Sequence, residues 1–489
     1  MKARITVLAI TVALLLPSAL RAQVSFRRTY GGGGNDGGQA VVQITGGGYY
    51  VGGYTNSYGS GGSDGYVVAT DENGKELWTQ LFGGAGNDDC SGVAAFTDGG
   101  VLAAGWLTVT DQADVVLHAN TADGDQRWVK VYGGTKDDLA YSVARNSDGG
   151  FIVAGVTYSF GAGTPNVYLL RIDSLGDTLW TRSYGGANPD LAHSARPTAD
   201  SGFIICGTTY SYGAGGADVY LIKTDAHGDT VWTRTYGGAR DDVGWSVVQT
   251  KDQGYFIVGN TNSYGSALSN LYAIKTDSAG DTTWTRTFGE TGGDLGCSGQ
   301  ETSDSGYVIV GSLRTRWSYA CLIKIDRNGD TLWTRTFGGT NDDRGYSVQQ
   351  TADGGYVLAG QTSTFGAGGI DVWLIKTDSS GEVAVMEPKT SPARVSAPSL
   401  TCEPNPFRSA TVLRLTAEPL DHSTALLRVY DAQGRLVRSF PAPSSPAPHP
   451  MSVIWDGTND LGHALPSGTY FVRATGESQE ATARVVLER

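Results

Sequence analysis

The chain has 489 residues, enough for more than one domain, and its 70 glycines are about twice the usual share. A net charge of −13 argues against nucleic acid or an anionic membrane as partner, since both need a basic surface. Five scattered cysteines with no C-x-x-C spacing argue against a zinc or dithiol redox centre.

Residues 1–22, "MKARITVLAITVALLLPSALRA", read as a secretory signal peptide. Lys2 and Arg4 precede an apolar run from Ile5 to Leu16, and small residues follow. No later stretch is apolar enough to cross a bilayer as a helix.

From residue 24 to 385 the chain repeats itself. An aromatic before glycine recurs at Tyr30, Phe82, Tyr132, Tyr184, Tyr236, Phe288 and Phe337, in steps of 52, 50, 52, 52, 52 and 49. A period near fifty marks a repeat architecture. Each repeat reads as four strands, a to d. Asp-Gly or a close variant turns a into b, and Asp-x-x-Gly turns c into d, as at Asp173 to Gly176. Strands b and c are continuous apolar runs, "FIVAG" and "VYLL" in the third repeat, so both their faces should be covered. Strand a uses smaller residues, as in "YSVA" at 141–144, which suits a crowded centre. Cys90, Cys206, Cys297 and Cys321 read as small core residues.

There are seven a-b-c units but only six d strands bearing tryptophan, at Trp78, Trp128, Trp180, Trp232, Trp284 and Trp333. An orphan d strand, "VSFRRTY", precedes the first unit, with Phe26 at the tryptophan offset. The expected fold is therefore all-β: a seven-bladed β-propeller closed by its N-terminal strand. The runner-up is an open or eight-bladed form that uses 382–388. The stretch Asp-x-x-Gly-x-x-x-Trp, as in "TDENGKELW" at 70–78, resembles the tryptophan-docking motif of quinoprotein (PQQ-type) propellers. The resemblance implies that each tryptophan packs on the neighbouring blade. The family's quinone and calcium ligands have no counterparts that can be placed here.

One acid per repeat aligns in the connection from strand d to the next strand a: Asp36, Asp89, Asp138, Asp190, Asp242, Asp294 and Asp343. The first reading is a set of turn-capping carboxylates. The second is a ring near the axis able to hold a divalent cation, which makes calcium the one cofactor considered. "GGGGND" at 31–36 and "GGAGND" at 83–88 resemble the calcium repeat of β-roll toxins. That repeat stacks in tandem nine-residue units, whereas these copies lie 52 apart. The b–c loops share the same end of the meander. Five carry an aromatic before glycine: Tyr58, Phe160, Tyr212, Tyr264 and Phe365. These are candidates to bind a glycan or peptide, or else they pack over their own blades. The second and sixth repeats have shorter loops, "WLTVTDQAD" (106–114) and "SLRTRWSYA" (312–320), which could leave a notch.

No catalytic set emerges. The six histidines share no ligand spacing, and "GGSDG" at 61–65 lacks a strand-to-helix elbow. A carboxylate pair assembled from distant blades stays open.

Residues 386–399 are rich in proline and serine and read as a linker. Residues 400–489 carry short alternating strands that suggest a small β-sandwich. "EPNPF" (403–407), "VYDAQGRLVRSF" (429–440), "IWDGTNDLGHALPSGTYFVRA" (454–474) and "RVVLER" (484–489) resemble the C-terminal sorting domain of type IX secretion cargo, and the related sandwich of flagellar hook-capping proteins. The resemblance implies an immunoglobulin-like fold, recognition by type IX machinery, and display on or release from the outer surface of a Gram-negative-type bacterium. The family's terminal motif carries lysines where this chain has Arg484 and Arg489. Pro404 and Pro406 are expected to hold an extended strand, Asp431 to Gly434 to form a hairpin turn, and Trp455 to anchor the core. Two functions follow: a secreted non-enzymatic binding protein, or an extracellular glycan hydrolase or lyase acting on the loop face.

Overall fold

The computed structural model describes residues 24–109, 111–161, 163–265, 268–289, 293–383, 399–416, 426–440, 451–460, 462–475 and 480–489. The signal-peptide reading, most of the linker and residues 384–388 of the eight-bladed alternative lie outside them. Every element described is a β-strand, and the chain divides into two compact units at Val385.

In the N-terminal unit the described strands form seven four-stranded antiparallel sheets. The third shows the plan: a, Asp138–Arg145; b, Phe151–Thr157; c, Asn166–Ile172; d, Thr178–Tyr184. Strands b and c are buried throughout and strand d is half out, as their apolar runs and alternation require. The a strands touch one another in order, and that of the first sheet, Asp36–Gln43, meets the seventh sheet, so the cycle closes. This is the radial packing of a β-propeller.

The seventh sheet holds Asp343–Gln350, Tyr356–Thr362 and Asp371–Thr377, and its fourth strand is Phe26–Tyr30 from the start of the chain. Phe26 pairs with Lys376, the position at which Trp333 pairs with Lys324 one sheet earlier. Both aromatics therefore fill the same place. Each d strand locks to the next sheet through its c–d turn. Gly228 turns at φ 79°, and a Cβ there would press on the ring of Trp180 at 2.9 Å. Tyr184 Oη donates to the Gly228 carbonyl at 2.6 Å. Phe26 and Tyr30 treat Gly74 the same way, the tyrosine hydroxyl donating at 2.7 Å.

The a–b turn also needs a left-handed residue. Gly47, Gly99, Gly149 and Gly354 supply it in four sheets, but Ser201, Gln253 and Ser305 hold φ between 64° and 68° at the matching place. A side chain there costs roughly 1 kcal/mol. Gln253→Gly should accordingly raise stability by about 0.5–1 kcal/mol, less than the full strain because glycine also loosens the unfolded chain. Chemical denaturation of the variant reads it, and a loss would contradict the strain.

The C-terminal unit pairs two sheets. One contains Ser399–Glu403, Thr411–Thr416 and Met451–Trp455; the other contains Leu426–Tyr430, Leu436–Phe440, Gly468–Thr475 and Glu480–Leu487. Trp455 is fully buried, with Phe407 and Tyr470 each 5.3 Å away between ring centroids. Gly434 closes the expected hairpin turn at φ 78°. The prolines differ from expectation. The first strand ends at Glu403, and Pro404 and Pro406 follow it in cis peptide bonds. Between them Asn405 clips onto the last strand, accepting from Val486 N and donating to Arg484 O, each at 2.8 Å.

Candidate functional site

The aligned acids begin the a strands, and each serves its own turn. Asp242 Oδ2 accepts from Gly238 N at 2.8 Å and Ser263 Oγ at 2.6 Å. Asp36, Asp190 and Asp343 repeat this with Ser57, Ser211 and Thr364. Asp138 takes Gly134 N at 2.8 Å, and Asp294 takes Arg314 N at 2.7 Å. All six are essentially inaccessible. Asp89 is a correction. In the second sheet the turn is capped by Asp88, which accepts from Gly84 N at 2.7 Å and Thr108 N at 2.6 Å. One residue along a strand changes face, so Asp89 points elsewhere. Among the described residues no three histidine, cysteine or acid side chains gather into a metal-sized cluster.

Asp242→Ala should cost about 1–2 kcal/mol, because a part-buried amide and hydroxyl lose their charged acceptor. Thermal unfolding measures this. Added calcium should leave the parent's melting temperature unchanged, and a chelator-reversible rise would overturn the capping account.

The five loop aromatics lie one to a sheet, each 42–47% exposed. Each ring rests on an aromatic of its own strand c at 5.7–6.2 Å, as Tyr264 does on Tyr272. Tyr58, Tyr212 and Tyr264 also donate to the carbonyl of the adjoining d–a turn. They cover their own sheets rather than converging.

What converges is a residue the sequence reading passed over. Every strand a carries a one-residue bulge three places after its capping acid, as between Ala140 and Ser142. A bulge re-aims the extra side chain. Here the bulged residues are Gln39, Ser91, Tyr141, His193, Trp245, Cys297 and Tyr346, and all line one axial cavity of about 670 Å³. Tyr54, Leu295, Arg344 and Gln361 complete the wall. Tyr141 and Cys297, read from sequence as part of a crowded centre and as core, instead face this space. The signal was present: it is a position that differs in almost every repeat of a frame that otherwise copies itself.

The cavity is lopsided. Tyr141, His193 and Trp245 form an arc, with His193 5.8 Å from the tyrosine ring and 4.2 Å from the indole. Trp106 closes edge-on against Tyr141 at 6.0 Å. On the other side Tyr54 lies over Gly37, where a Cβ would strike its ring. Burial raises the Tyr54 hydroxyl pKa; the Asp89 charge adds to the rise and Arg344 offsets part of it. Asp89 takes hydrogen bonds from Gln39 Nε2 at 2.7 Å and Ser91 Oγ at 2.9 Å. Burial raises the Asp89 carboxyl to about 7 and lowers the His193 imidazole to about 4. Burial also pushes the Cys297 thiol up to about 12, so it stays protonated and a poor nucleophile.

These two shifts oppose each other in stability. Asp89 holds its proton more tightly folded than unfolded, so its contribution falls as pH rises from about 4 to 7. His193 resists protonation when folded, so its contribution rises from pH 4 to 6.5. Asp89→Asn should remove only the first. The variant should gain about 2–4 kcal/mol over the parent at pH 8 and little at pH 4. Urea midpoints at both pH values check it, and an equal difference at the two would refute the linkage.

No curated protein matches the chain. Among solved structures it is similar to PorZ of Porphyromonas gingivalis, an essential surface component of the type IX secretion system. Identity is 12%, 91% of this chain is covered and the TM-score is 0.39. The match spans 58% of PorZ. The Pan2 WD40 domain of Neurospora crassa matches at 9% identity over 69% of this chain and 88% of that one, with a TM-score of 0.44. The periplasmic gluconolactonase PpgL of Pseudomonas aeruginosa matches at 12% identity over 67% and 98%, with a TM-score of 0.42. Over residues 413–480, within the two-sheet unit built around Trp455, the chain is similar to the FlgD Ig-like domain family.

Proposed function

We propose that this is a secreted or surface-displayed bacterial binding protein: a seven-bladed propeller that holds its ligand in the axial cavity, joined to a sandwich that type IX machinery reads as a sorting domain. The observation that carries the binding reading is the ring of bulges. Seven near-identical frames deliver largely different side chains into one space. A frame kept constant around a varied lining fits selective binding. The ring of hydrogen-bonded acids and the self-packed loop aromatics fit the frame.

A glycan and peptide array probed with the full chain and with Trp245→Ala tests it. Trp245 is 39% exposed, so the substitution spares the fold. Ligands retained by the parent should be lost by the variant. Retention of the same ligands by both would move the site off the axis. A second reading, a hydrolase or lyase, draws on Asp89, whose carboxyl stays protonated up to about 7 beside the cavity. Release of shortened glycan from array hits would favour it over binding alone.

A further inference from the structure

We infer that the axial cavity takes an unbranched acidic oligosaccharide laid across the ring from the second sheet to the sixth, with one sugar ring on Trp245 and its carboxylate on Arg344. The inference rests on the cavity being the binding site.

Three observations set the direction and the chemistry. The two smallest bulged side chains are Ser91 and Cys297, and they stand in the second and sixth sheets. Short side chains at these two bulges leave room along the line joining them. The same two sheets have the shortened b–c connections. Val101–Val109 runs almost directly into Gln112–Asn120, and Tyr307–Arg314 into Ser318–Ile325. The other five sheets carry long loops topped by an aromatic. The aromatic-topped loop is thus missing at both ends of the same line, which is the direction proposed for a linear ligand.

The side walls differ in kind. Between the second and sixth sheets on one side lies the arc of Tyr141, His193 and Trp245. His193 supports the indole from within, so Trp245 offers a fixed, partly exposed face. A flat amphipathic ring of this kind suits the C–H face of a pyranose. Across the cavity stand the amides of Gln39 and Gln361 and the guanidinium of Arg344, together with Tyr54 and Tyr346. The Arg344 guanidinium lines the cavity and makes a hydrogen bond with Tyr346. A guanidinium has five N–H donors, more than one tyrosine can use, and its planar fork matches a carboxylate; amides match hydroxyls. Asp89, held by Gln39 and Ser91, is kept from adding a competing charge below about pH 7 by its burial.

Calorimetry on the full chain tests this with a linear uronate hexasaccharide, its carboxyl-reduced neutral counterpart, and a decapeptide set. The uronate should bind, and the neutral sugar should bind roughly tenfold more weakly or worse, the worth of a charge-assisted pair. Arg344→Gln should erase that difference. Trp245→Ala should weaken both sugars by roughly tenfold. Cys297→Trp should block both by closing one end of the gap. Melting curves matching the parent's would show that the variants are folded. Equal binding of acidic and neutral sugars by the parent overturns the inference. Trp245-dependent binding of peptides, with no sugar bound, overturns it while leaving the binding protein reading intact. If ligands bind and neither Trp245→Ala nor Cys297→Trp affects them, both readings fall.

Discussion

Removing residues 24–30 should destabilise the whole propeller rather than one sheet. The truncation takes away the d strand of the seventh sheet, which pairs with Asp371–Thr377 from Phe26↔Lys376 to Tyr30↔Val372. It also takes away two buried aromatics that belong to a core shared with the first sheet, alongside Tyr49, Val51 and Tyr66. Phe26→Ala alone should cost about 3–5 kcal/mol, the range for a large aromatic removed from a core. The full deletion should exceed that, because it strips the lock on Gly74 and bares strand c as a sheet edge. The expected readouts are a melting temperature well below the parent's, a broader transition, and association in sedimentation. A truncated chain that melts like its parent would mean that the ring does not depend on its first strand.

Removing residues 387–489 should do the opposite: leave the propeller folded and change only where it goes. Among the described residues, the buried cluster of the C-terminal unit is made of residues from Leu400 to Leu487. The propeller has buried clusters of its own, such as that of Phe26, Tyr49 and Val372. Under the proposed sorting role, the truncated protein should keep the propeller's unfolding transition and stop in the periplasm. A passenger with a signal peptide, fused ahead of 387–489, should reach the cell surface in a host with type IX machinery. Surface delivery of the truncated protein would reduce the sandwich to a structural or binding module.

How much of this was legible in the sequence depends on what repetition preserves. The period, the four strands, the closing role of Phe26 and the docking of each tryptophan on the next sheet's turn are written seven times, or as a seventh copy split between the two ends. Each error in one copy is corrected by the others. The axial lining is the reverse case. A bulge has no composition of its own, and Tyr141 sits in "YSVA" without any mark that it leaves the register. The slip at Asp88 and Asp89 has the same root. Two adjacent acids offered two alignments, and only the turn geometry separates the cap from its neighbour. In the second unit Trp455 was legible as an anchor from size alone. The end of the first strand at Glu403 was not, because proline restricts its neighbours without saying on which side the ladder stops.

The pairing of Phe26–Tyr30 with Asp371–Thr377 also sets an order in time. Synthesis delivers the first strand of the ring when its partner is still more than three hundred residues from being made. Six sheets can form from neighbouring segments as they appear, each with short-range pairings. The seventh cannot, and its closure is the one step that joins the two ends of the propeller sequence. Closing so long a loop is slow relative to hairpin formation. Until then Phe26 and Tyr30 remain uncovered and the last strand c lacks its neighbour, so the nascent chain passes through an open, sticky arc. The vulnerable moment of the propeller is therefore late in its folding, and it lies where its first strand meets its last.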